Sequence, residues 1–145
     1  MTTKLLIGLD GHGSGEKALA YGKQMAALIG SCELLVIYVI EWSPYSFQTA
    51  EENAERHKRR EEEIALAKER VIDPAVDGLK KAGLNARGIV RHGNVADTID
   101  AVAVEEKVNQ IIVCRSSDGG LASRIFGSST ATLVMNASVP VTVIG

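Results

Sequence analysis

At 145 residues, with 46% apolar and 23% charged side chains, the chain is long enough to bury one sizeable core, and its composition is ordinary for a soluble globular protein. A formal net charge of −2 lacks the basic surface that non-specific nucleic-acid binding needs, and no apolar run approaches the roughly 18 residues of a membrane span. The opening MTTKLLIGLD has one lysine but neither the apolar stretch nor the cleavage site of a signal peptide, so no membrane role and a cytoplasmic location are expected.

The pattern alternates strand and helix. KLLIGL (Lys4–Leu9) is a short, nearly continuous apolar run, as a strand covered on both faces should be. The turn DGHGSG leads into a helix over Glu16–Gly30, with Ala18, Leu19, Met25, Ala26 and Ile29 on one face and Gly30 as its stop. ELLVIYVI (Glu33–Ile40) is rich in β-branched and aromatic residues and reads as a central strand; EWSPYSFQT is a loop marked by Ser43-Pro44.

The longest helical candidate follows. Glu51 to Arg70 holds seven acidic and six basic residues, a face for solvent, a partner or a ligand. An apolar stripe of Ile64, Ala67, Val71, Ala75 and Leu79 appears in its second half, and Pro74 should kink or divide it. Asn85–Gly93 is the third strand. A helix with Val95, Ile99, Val102 and Ala103 inward comes next, then NQIIVC as the fourth strand. A helix beginning at Ser128 and the strand VPVTVIG close the pattern. Five strands joined by helical crossovers make one domain, 1–145, an α/β open parallel sheet with helices on both faces.

In such sheets ligands bind outside the carboxyl ends of the strands, where strand order reverses. Asp10, after the first strand, has the chemistry to accept hydrogen bonds from a ribose hydroxyl or a base amino group; the same residue type also caps helices. The glycines of DGHGSG lack the G-x-G-x-x-G spacing, and no G-x-x-x-x-G-K-[ST] occurs, which excludes a P-loop. Gly127-Ser128-Ser129-Thr130 at a helix start would offer free N–H groups, hydroxyls and the positive dipole end to an anion, or simply cap the helix. Arg115 and Arg124, which precede this stretch, are further candidate anion contacts. His12, His57 and His92 are scattered and form no triad or metal set. VRHG at the end of the third strand lacks the aspartate of a phospho-acceptor domain. Cys32 and Cys114 make neither a metal set nor a disulfide framework and read as small buried hydrophobes. A redox role for Cys114 would need a lowered thiol pKa.

With these residues placed, the chain resembles the universal stress protein family over essentially its full length. KLLIGLDGHGSGEKAL, LLVIYVIE, RHGNVADTIDAVAVEEKVNQIIV and FGSSTATLVMNASVPVTVI match four family segments in order. The resemblance implies a flavodoxin-like or adenine nucleotide α-hydrolase-like sandwich with strand order 3-2-1-4-5. Nucleotide-binding members carry Gly-x-x-Gly, nine residues, then Gly-Ser or Gly-Thr. Here the first two glycine positions are Cys114 and Ser117, and the last pair is Gly127-Ser128, so the loop length is kept while two glycines are replaced.

The family pattern then assigns Gly8, Leu9 and Asp10 to the border of adenine and ribose, and the Val39 backbone to the base edge. It assigns Val113, Cys114 and Ser117 to the ribose and α-phosphate, and Gly127, Ser128 and Ser129 to the phosphates. ATP or AMP is the implied ligand of a stress-response regulator without significant turnover, with no catalytic residue and no metal. The last strand is the implied interface of a homodimer. The alternative is a nucleotide-independent dimeric module that meets an unknown protein partner through its surface.

Overall fold

The structure is a computed structural model, and it describes residues 2–10, 15–41, 50–115 and 121–145. Five parallel strands form one sheet: β1 (Thr3–Leu9), β2 (Cys32–Glu41), β3 (Asn85–Gly93), β4 (Gln110–Cys114) and β5 (Val141–Ile144). Their order is β3-β2-β1-β4-β5, the order the resemblance implies. The apolar runs of β1, β2 and β4 fall in the middle because both sheet faces are covered there.

Side-chain alternation splits the core in two. Leu5, Ile7, Leu34 and Val36 lie beneath α1 (Gly15–Ile29) and α3 (Asp73–Lys81), whereas Leu6, Leu35 and Ile37 lie beneath α4 (Val95–Glu105) and α5 (Leu121–Asn136). Helix α1 stops at Gly30, whose φ of 89° is the left-handed conformation that glycine adopts without strain. Two inward assignments shift slightly. Ile29 is exposed rather than buried, and in α4 it is Ala96 that is buried, with Val95 partly covered.

The larger departure lies between β2 and β3. Helix α2 (Ala50–Ala67), a π turn (Lys68–Ile72) and α3 run on as one continuous helical path. The Asp73 N–H donates to the Lys68 carbonyl, the wide bond of a π turn. Pro74 falls in the first turn of α3, where a missing N–H is tolerated, so the helix divides into two segments at a π turn. The extra residue also corrects the apolar stripe. Ile72 (1% exposed) takes the place of Val71 in the core, and Val76 is buried alongside Ala67 and Leu79, with Ala75 partly buried against them. Ile72 lies against the main chain of Gly88 on β3, where a side chain would collide with it.

Helix α5 begins at Leu121 rather than Ser128. Leu-Ala-Ser-Arg-Ile-Phe contains no breaker, and the helix runs through Gly127.

Candidate functional site at the strand-order reversal

The order reverses between β1 and β4, and the candidate residues gather around their carboxyl ends. The last paired residues of β1 and β2 are Leu9 and Tyr38, so Val39 stands one step further along, level with Asp10. Gly8 faces the α4 side of the sheet. A Cβ added there would lie 3.1 Å from Val113 Cγ1 and 3.4 Å from Ile99 Cδ1, so the glycine lets β1 and the end of β4 close tightly. Val39 and Val113 send their side chains into the core under α4 and α5, which leaves their backbones as their polar contribution.

Cys114 is 4% exposed and belongs to the opposite core, beneath α1. Burial pushes its thiol pKa up, outweighing a backbone hydrogen bond from Ala18 and the nearby Lys17. A redox role would call for the opposite shift, a depressed thiol. In the glycine position of the motif, the side chain is turned away into the core and only the Cys114 backbone remains at the strand end.

The assignments on the last helix divide. Ser117 lies outside the described residues. Gly127, Ser128 and Ser129 sit beyond the first turn of α5, so their N–H groups fall among those a helix satisfies internally. The expected anion site at a helix start is therefore corrected: the free N–H groups of α5 belong to its first turn, from Leu121. His92 is placed at the end of β3, where its Nε2 meets Glu63 Oε2 at 3.1 Å and its ring is 10% exposed. This pair ties β3 to the charged helix α2. His57 pairs with Glu61 on the surface of the same helix at 3.4 Å.

A cavity of about 350 Å³ opens beside Leu9 and Asp10. Its first wall is the start of α1, with Glu16 and Leu19; its second is the end of the π turn and the start of α3, with Arg70, Val71, Pro74 and Ala75. Sequence reasoning missed this second wall because the α-helical stripe placed Val71 and Ala75 in the core. The one available signal was Pro74, a few residues after the register changes. Among the described residues, no three His, Cys, Asp or Glu side chains converge as a metal site, and no helix is long and apolar enough to cross a membrane.

A five-stranded parallel sheet in the order β3-β2-β1-β4-β5 defines an open, flavodoxin-like α/β protein, and the cavity lies beside the carboxyl end of β1. The family model described as the universal stress protein family matches residues 1–145, and the chain belongs to that family. In fold it is similar to universal stress protein UspA from Lactobacillus plantarum, with 20% identity and a TM-score of 0.81 over 99% of this chain and 97% of that one. It is similar also to a universal stress protein in complex with cAMP (19% identity, TM-score 0.63, 99% of this chain and 96% of that one). A third is the universal stress protein from Archaeoglobus fulgidus in complex with dAMP (19% identity, TM-score 0.62, 100% and 98%). No curated protein matches the chain.

Proposed function

We propose that this chain is a stress-response regulator that binds an adenine nucleotide, ATP or AMP, without significant turnover. The observation that carries the reading is the cavity at the end of β1 that Leu9 and Asp10 line, with the Val39 backbone one step past the last β1–β2 pair. A carboxylate there accepts from a ribose hydroxyl or an exocyclic amine, and backbone groups at a strand end read a base edge. The cAMP and dAMP complexes of two fold relatives support the choice of adenine. Cys114 and Ser117 border the ribose and α-phosphate in this reading. We propose further that the protein works in the cytoplasm as a homodimer through β5, which pairs with β4 on one side and stands at the sheet edge with Val143 exposed.

A second reading rests on α5. With Gly127–Ser129 inside the helix, the family's phosphate cradle loses its free N–H groups, and exposed Val134 and Met135 on the same helix offer a surface for a protein partner instead. Acid extraction of the purified protein, followed by equilibrium dialysis against ATP and AMP, separates the two. Retained or micromolar-affinity nucleotide, lost in Asp10→Ala, supports the regulator. No retained nucleotide and no binding at millimolar concentration supports the surface module. Light scattering at micromolar protein tests the dimer, and a monomer there refutes it.

A further inference from the structure

A π turn inserts one residue into a helix, and such insertions concentrate at functional sites. Here the insertion gives the core Ile72 in place of Val71 and turns Arg70 and Val71 toward the cavity that begins at Asp10. With one residue fewer, the α-helical stripe would carry Val71 inward and remove the wall. The insertion therefore makes a cavity wall without enlarging the core.

The lining has a definite chemistry. Leu9 and Leu19 on one side and Val71, Pro74 and Ala75 on the other are apolar, and they suit the two faces of a flat aromatic ring. Asp10 and Glu16 supply acceptors for amine and hydroxyl donors. Arg70 is exposed and makes no ion pair or hydrogen bond among the described residues, so its guanidinium is available to lie over a π system. The volume of about 350 Å³ stands at the small end of the roughly 300–1,000 Å³ range of ligand pockets. That size suits the nucleoside end of a ligand rather than a whole triphosphate.

We infer that the end of the π turn, with Arg70 and Val71, and the start of α3, with Pro74 and Ala75, form the wall against which the base of the bound nucleotide lies, with Arg70 as a specificity-determining contact at the rim. The inference rests on the nucleotide reading above, and it assigns to ligand binding a helical segment that the glycine-loop motif does not include.

The test is calorimetric titration of the full chain with ATP and with adenosine, on the unmodified protein, Ala75→Phe and Arg70→Ala. Ala75→Phe fills the cavity and weakens both ligands by roughly tenfold or more; Arg70→Ala weakens both several-fold, with a thermal midpoint equal to the parent's because the side chain is exposed. Unchanged affinity for both ligands in Arg70→Ala and in a folded Ala75→Phe would overturn the inference and leave nucleotide binding standing. An unmodified protein that binds neither ATP nor adenosine would refute the nucleotide reading itself, and the wall with it.

Discussion

The register change at the π turn makes a sharp prediction for two adjacent residues. Ile72 is 1% exposed, whereas Val71 is half-buried at the cavity. Truncating a buried Ile to Ala costs about 2–5 kcal/mol, more where the surroundings cannot collapse into the void. Opposite Ile72 stands the main chain of Gly88, fixed in the sheet by its pairing with Val36. That wall cannot move in, so Ile72→Ala stays clear of the low end of the range, at about 3–4 kcal/mol. At about 2–4 °C per kcal/mol for a chain of this size, the melting midpoint falls by about 10 °C. Val71→Ala widens a cavity already present and costs about 1 kcal/mol or less, some 2–3 °C. Thermal unfolding followed by circular dichroism, with urea denaturation as a second probe, measures both. If Val71→Ala proved the more damaging of the pair, the helix would have ordinary α register and the cavity wall would not exist.

Three further outcomes follow from the packing and the charges. Gly88→Ala places a methyl group against Ile72 and destabilises by about 1–3 kcal/mol, and a double-mutant cycle with Ile72→Ala recovers part of that loss; strict additivity would contradict the contact. Arg87 on β3 bridges Glu33 on β2 (Nε to Oε1, 2.7 Å) and Glu106 at the end of α4, and it holds the Glu106 carboxyl below its ordinary pKa. A depressed folded-state pKa gives stability that is present above the ordinary carboxylate range and is lost as pH falls through the folded value. Arg87→Ala should therefore lower the melting midpoint by about 2 °C at neutral pH, with the difference from the parent vanishing in acid; an equal difference at all pH values would refute the pairing. Burial raises the Cys114 thiol, so iodoacetamide at mildly alkaline pH should modify it at least about tenfold more slowly in the folded protein than in urea, and equal rates would place the thiol outside the core.

The central strands were legible because β1, β2 and β4 are apolar almost without interruption, a pattern that only burial on both faces produces. Their spatial order was not contained in that pattern and came from the resemblance of four segments. At the site, Leu9 and Asp10 could be placed from the end of an apolar run, and Gly8, Val39 and Val113 from the family motif. Three features escaped for separate reasons. The π turn leaves almost no local mark, since a one-residue insertion is dictated by Ile72 meeting Gly88 across the chain. The start of α5 was read from Gly127-Ser128, yet a helix of favourable neighbours tolerates an internal glycine at a cost of about 1 kcal/mol. The direction of the Cys114 side chain depends on strand register, which sends it toward α1 and away from the ligand end.

The central claim, that an adenine nucleotide binds where β1 and β4 part, is tested most directly by titrating ATP into isotopically labelled protein and following the backbone amide resonances. The account predicts saturable shifts concentrated at Leu9, Asp10, Val39, Val113 and Cys114, extending to Arg70 and Val71. Shifts confined to the exposed α5 residues and β5, or no shifts at millimolar ATP, would contradict it.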